Sequence, residues 1–293
     1  MDVLSQFVEY SVIGIASGGI YILAALGFVV VYKASNVFNF ALGEMMMMGA
    51  YFFFGVVVQL HFGTLVGLPI ALIGSAVLAM LIERFLLRPM LGRPVIVLVM
   101  ITFGLGSILR GLAAIVWTSD VLTIPDFLPR QPLFIGSILV PGKLAWGFIV
   151  AMVISLSFIA YYRFSRAGIA LRATSSDLTT AEGLGIDARR AFAQTWAISG
   201  ALSATAGLIL ASINGLTPQL GGVVIDIIAV VFLGGISSVG GVVIAGLFIG
   251  WLETILGAYL GANWQSFLPF LVVLLVMMFR PRGLFGEKRI ERI

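Results

Sequence analysis

Four ionisable side chains interrupt otherwise apolar stretches of this sequence: Glu44, Arg110, Asp226 and Glu253. A charge in such a setting is costly and marks a solute route, a proton site or a structural lock. Glu44 either lines a route, near an amino group or a helix break, or is held neutral or hydrogen-bonded to a neighbouring helix. Asn36 and Asn39 lie within helical reach as its partners, and Leu42 sits on the same wall. Arg110 either meets a solute carboxylate or snorkels to the outer surface. Simple solvation near an outer mouth accounts for Asp226, and Glu253 shares that ambiguity. Enzyme chemistry lacks its parts: His61 is the only histidine, cysteine is absent, and no convincing nucleophile–base pair exists. No metal or cofactor is expected.

The elements that position these residues follow from composition. The 293 residues are 60% hydrophobic and 10% charged, against about 25% charged in a soluble domain. Mean hydropathy is +1.14. Thirty charged side chains cannot clothe a soluble fold of this size, and the same numbers exclude disorder. Apolar runs recur at about 9–32, 36–60, 63–83, 95–118, 142–162, 191–213, 223–239, 241–258 and 265–279. Most of them match the length that crosses ~30 Å of hydrocarbon as a helix. The chain therefore reads as a single all-α, polytopic domain over 1–293 with about nine transmembrane helices, eight to ten being compatible. A barrel would need alternating ten-residue segments, and none occur.

Positive charge orients the spans. Lys33, the Arg84–Arg93 loop, the stretch 163–190 and the tail from Arg280 with Lys288, Arg289 and Arg292 hold most of the cations, which places them on the cytoplasmic side. The acidic N-terminus is then outside. The net charge of +4 serves orientation and is no sign of nucleic-acid binding. Small residues at helix-packing spacing, Gly14 with Gly18 and Gly246 with Gly250, favour internal packing over a dimerisation face. The Met45–Met48 run and Phe52–Phe54 make an unusually apolar wall, for which packing is the favoured account over a bulky solute.

The polar, basic stretch 163–190 is longer than a connector needs. Ser176, Asp177 and Thr179 are candidate N-caps, with Glu182 three after Thr179, and Gly185 is a natural stop. A surface helix of about two turns is expected there. Gly234, Gly235, Gly240 and Gly241 flank a break between two spans. It is either a broken helix presenting dipoles or, as the charge-derived topology favours, a tight cytoplasmic turn and gate.

Four motifs carry a resemblance. Asn39-Phe40-Ala41-Leu42-Gly43-Glu44 is similar to an Asn-Phe-Ala-x-Gly-Glu motif. Ala167-Gly168-Ile169-Ala170-Leu171-Arg172-Ala173 is followed by Asp177, Ala181 and Gly185-Ile186. Leu233-Gly234-Gly235-Ile236-Ser237-Ser238-Val239-Gly240-Gly241 and Arg280-Pro281-Arg282-Gly283-Leu284-Phe285-Gly286 complete the set. In order and register, they resemble permease subunits of branched-chain amino acid ABC importers, nearest the shorter, H-type subunit. Leu42 departs from the pattern, where the family often has a polar residue.

The resemblance implies an ABC importer permease fold with a short cytoplasmic coupling helix, in the inner membrane of a bacterium. Its expected partners are a second permease subunit, two cytoplasmic ATPase subunits and an extracytoplasmic solute-binding protein. Arg172, Asp177, Ala181, Glu182, Gly185 and Ile186 would serve ATPase coupling. ATP hydrolysis would lie on the partners, consistent with the absence here of a Gly-x-x-x-x-Gly-Lys-[Ser/Thr] run. The family's solutes span amino acids, urea, amides and aromatic acids, so the solute stays open. The alternative is an ion-coupled carrier using Glu44 as its proton site, which would need no coupling helix.

Overall fold

A computed structural model of the chain describes residues 3–90, 92–136 and 138–286. Lys288, Arg289 and Arg292 of the basic tail lie outside the described residues. Eleven α-helices occur among those described: α1 (Val3–Ser35), α2 (Leu42–Phe54), α3 (Thr64–Ile82), α4 (Val95–Val116), α5 (Gly142–Phe164), α6 (Arg166–Ser176), α7 (Leu178–Gly183), α8 (Ala188–Asn214), α9 (Val224–Gly234), α10 (Val239–Leu260) and α11 (Ala262–Phe279). A short antiparallel hairpin, β1 (Leu133–Ile135) and β2 (Ile138–Val140), decorates the loop between α4 and α5.

Eight of the described helical segments are long and apolar enough to cross a membrane, and Pro218–Gly234 forms a shorter apolar one. That shorter segment, where the sequence suggested a further crossing, is a 3₁₀ turn over Pro218–Val223 followed by the eleven-residue α9. Helices close their own backbone hydrogen bonds, which lipid cannot do for them.

The core is built on α1, α2 and α8, which pack on one another and on α3 and α10. Hydrophobicity does not separate inside from outside here, because the outer faces of α3, α4, α5 and α11 are apolar as well. Small residues make the difference. A Cβ on Gly14 would lie 2.8 Å from Trp251 Cα, and one on Gly18 would lie 2.8 Å from Leu247 Cα. The glycine stripes therefore join α1 to α10 within this chain, as internal packing. Met45, Met46 and Met47 are fully buried, so the methionine run is packing too. Trp251 Nε1 donates to Ser11 Oγ at 3.0 Å, tying the same two helices. Ser199 Oγ donates to the Gly27 carbonyl at 2.8 Å and binds α8 to α1.

Basic groups from distant segments meet at one end of the bundle. Arg88 Nη2 donates to the Arg189 carbonyl, Arg172 Nη2 donates to the Arg163 carbonyl, and Lys33 and Arg172 both approach the Tyr162 ring. His61, Asp120, Asp126 and Arg130 belong to loops at the opposite end.

Candidate functional site

The second span does not begin where hydropathy places it. Asn36 takes a left-handed φ of 52° and its N–H donates to the Tyr32 carbonyl, closing α1 as a C-terminal cap. The chain then runs unwound through 37–41 and starts α2 at Leu42. Its backbone is satisfied by a side chain: Phe40 N–H donates to Thr102 Oγ1 at 3.2 Å, and that hydroxyl is 3.1 Å from the Phe38 carbonyl. Thr102 is about 10 Å along α4 from its basic end. The unwound segment thus lies within the bundle, where only backbone enclosed by protein is tolerated.

Glu44 sits in the first turn of α2, 4% exposed. Its Oε1 pairs with Arg110 of α4. Oε2 is buried and has no partner among the described residues. Gly106 and Gly221 wall the carboxylate in: a Cβ on Gly106 would be 3.0 Å from Oε2, and one on Gly221 would be 3.1 Å from Cδ. The 3₁₀ turn before α9 therefore meets the start of α2, so two interrupted segments converge on one acid. The Arg110 side chain remains 48% exposed. The structure joins the two residues whose roles the sequence left separate, and Arg110 does not simply snorkel.

Asn36 and Asn39 are not the partners of Glu44. Asn39 is buried; its Oδ1 accepts from Ala41 N–H at 3.1 Å, shaping the approach to α2. Leu42 is fully buried against protein and lines nothing. Asn36 instead opens on a cavity of about 540 Å³ at the basic end, with Lys33, Arg172, Ser237 and Arg282. Glu253 is not solvated either: it is buried and accepts from Tyr21 Oη at 2.8 Å. Asp226 is half-buried in the first turn of α9.

The basic stretch folds into two helices, where one was expected. Asp177 ends α6 and N-caps α7, its Oδ1 accepting from Thr180 N–H at 2.9 Å. Thr179 lies inside α7 rather than at its N-cap, and the Ser176 hydroxyl bonds back to the Arg172 carbonyl. At the other end Gly185 has φ 83°. Its N–H donates to Glu182 and that of Ile186 to Ala181, the paired bonds of a Schellman cap. Ala181 is 2% exposed and turned into the protein, whereas Glu182 and Gly185 are exposed and Ile186 is half-buried. Leu184, unremarked in the sequence, stands 78% exposed at the tip. Its place immediately before the stop at Gly185 was the one feature of the sequence that pointed to it.

The glycine break is a turn, at the basic end. Gly235 has φ 103°, and Ser238 caps α10 by accepting from Gly241 N–H at 3.0 Å. Gly234 and Gly241 face each other so closely that a Cβ on Gly234 would lie 2.6 Å from the Gly241 carbonyl carbon. Gly240 is open. Leu284 N–H donates to the Leu233 carbonyl at 2.9 Å, so the Arg280–Gly286 motif folds onto this turn.

Among known proteins, the family described as "branched-chain amino acid transport system / permease component" matches residues 10–277. The chain is 29% identical to the high-affinity branched-chain amino acid transport system permease protein LivH of Escherichia coli K12, covering 98% of both. It is 26% identical to the corresponding permease protein BraD of Pseudomonas aeruginosa over the full length of both. The autoinducer 2 import system permease protein LsrC of Escherichia coli is 28% identical over 91% of this chain and 78% of its own.

Proposed function

The chain belongs to the branched-chain amino acid transport permease family, and from that premise we propose that it is one membrane subunit of an ATP-driven importer, worked from the cytosol through α7. A multi-pass permease of this kind would sit in the inner membrane of a bacterium. It would pair with a sister permease, two cytoplasmic ATPase subunits and an extracytoplasmic solute-binding protein. The solute is a small organic molecule such as a branched-chain amino acid. Hydrolysis of ATP falls to the partner subunits.

One observation carries the reading: a six-residue helix closed at both ends projects Leu184 from the basic end of the bundle. A helix so short gains little from its own backbone bonds, so its two caps are what keep it rigid. Arg172, Asp177 and Gly185 fix its placement, Ala181 seats it, and Glu182 and Leu184 face outward to meet an ATPase subunit. The Gly234–Gly241 turn, clasped by the tail, would be the cytoplasmic gate that α7 moves. The solute route would run along Glu44 and Arg110 and leave past Asn36.

Leu184→Arg in the assembled transporter tests this. Uptake into proteoliposomes should fall more than about tenfold, a loss of roughly 1.4 kcal/mol of coupling, while ATP hydrolysis and yield of folded protein persist. Full coupled uptake would defeat the proposal. Leu184 is the better probe than Ala181, whose burial would make any large replacement a folding defect.

A further inference from the structure

We propose that Arg110 is a recognition point for a carboxylate on the solute, held ready in a half-open pair by Glu44. The proposal rests on the importer reading for what brings a solute there. The residue roles come from geometry.

Among the described residues two Glu–Arg pairs lie in helical segments, and they differ. Arg88 grips Glu83 with two bonds, Nε to Oε1 at 2.9 Å and Nη2 to Oε2 at 2.7 Å, and spends Nη2 also on the Arg189 carbonyl. That pair is closed. Arg110 meets Glu44 through one nitrogen and one oxygen. A guanidinium offers five N–H donors in a planar fork that matches a carboxylate. With one contact made and half the side chain exposed, Arg110 keeps an unspent edge facing outward.

The exposed face of α4 around Arg110 is mostly apolar, with Phe103, Ile108 and Leu112, and small or polar positions interrupt it. Ser107 lies one turn before Arg110 on the exposed side of α4. At Gly104 and Gly111, on the same helix, nothing stands within 4 Å of where a Cβ would be. Glu44 cannot swing out to follow Arg110, because Gly106 and Gly221 enclose it. The arginine is therefore the member free to turn.

The arrangement also explains why a carboxylate would be released. A lone arginine in a low-dielectric route would hold an anion too tightly, and conduction needs sites that bind weakly enough to leave. Glu44 neutralises the resting guanidinium and competes for it. The solute class is a small organic carboxylate, and neutral amides of the same shape should be passed over.

The test labels the assembled transporter in native membrane vesicles with phenylglyoxal and follows the Arg110 and Arg88 peptides by mass spectrometry. Isovalerate should slow labelling of Arg110 several-fold, isovaleramide should not, and Arg88 should respond to neither. In Glu44→Gln, isovalerate should protect at lower concentration, because the competitor is gone. Equal protection by the amide, or an Arg110 that never reacts, would overturn the proposal; unchanged protection in Glu44→Gln would overturn the part given to Glu44. The readout needs no ATP-driven uptake. A negative result here leaves the importer reading intact, and full coupled uptake in the Leu184 variant would defeat that reading without changing the labelling expected here.

Discussion

Arg110 reaches across from α4 to Glu44 in the first turn of α2, joining residues 66 positions apart in one ion pair. Of the two, the acid is enclosed and the base is half exposed. That asymmetry sets the expected order of the single variants. Arg110→Met strands a buried carboxylate and should cost about 3–5 kcal/mol. Glu44→Gln leaves a cation that can still turn outward and should cost less. The double variant should recover much of the loss. Thermal unfolding in detergent, followed by size-exclusion chromatography, checks the ranking.

Glu83 and Arg88 tie a π-helical turn, Glu83–Leu87, to the start of α8 through the Arg189 carbonyl. Here both bonds of the fork are made. Arg88→Gln is expected to lower stability by about 3 kcal/mol and to leave any surviving protein fully active in transport. A stable but inactive Arg88→Gln protein would assign the pair to function instead.

The α1–α10 seam has no room for side chains. Gly18→Val places carbon on the Gly246 carbonyl and Leu247 Cα, backbone that cannot yield. Loss of folded protein from membranes is expected. By contrast, Gly240→Ala, at an open position in the turn region, should accumulate normally.

Gly185 occupies the left-handed region at φ 83° with open space around it. Gly185→Ala should therefore cost about 1–2 kcal/mol through backbone strain alone. The protein should fold, α7 should fray, and ATP-driven uptake should fall while hydrolysis persists. Protease cleavage near 184 should rise in parallel.

At the end of the bundle opposite the basic one, Asp126 pairs with Lys143 at 2.8 Å and with Arg130. Hydrogen bonds from Lys143 first, then from Arg130, hold its carboxyl below the usual carboxylate range. A lowered folded-state value means the pair stabilises fully above the unfolded value of about 3.9. That contribution is lost as pH falls through the lower, folded value. Wild type should exceed Asp126→Asn by about 1 kcal/mol from pH 7 to 5, and the gap should close below pH 4. A gap that closed between pH 7 and 5 would contradict the assignment. Lys143 also donates to the Ser212 carbonyl at 2.7 Å, so the pair pins the loop to the end of α8.

Approximate span number and family were legible in the residues. Apolar length is a one-dimensional property and needs no tertiary contacts. The cap at Asp177 and the stop at Gly185 were also local and readable. The division of 163–190 into two helices was not, because Asp177 serves two helices at once and its position alone does not reveal that.

Depth was not legible. Hydropathy averages over a window and cannot tell an unwound 37–41 from a helical one, since the same apolar residues serve both. Only packing decides it: Thr102 of α4 satisfies the bare backbone at Phe38 and Phe40 and lets α2 begin inside the bundle. Sequence likewise placed Glu44 and Arg110 on different spans without relating them. An ion pair between spans depends on where three-dimensional neighbours fall, and Gly106 and Gly221, small enough to admit a carboxylate, are what bring these two together. The burial of Leu42 and Asn39, and the inward turn of Ala181, depend in the same way on which face meets another helix. Composition placed this chain in a membrane; the close approach of its backbones decided which of its polar groups are enclosed and which remain open to a solute.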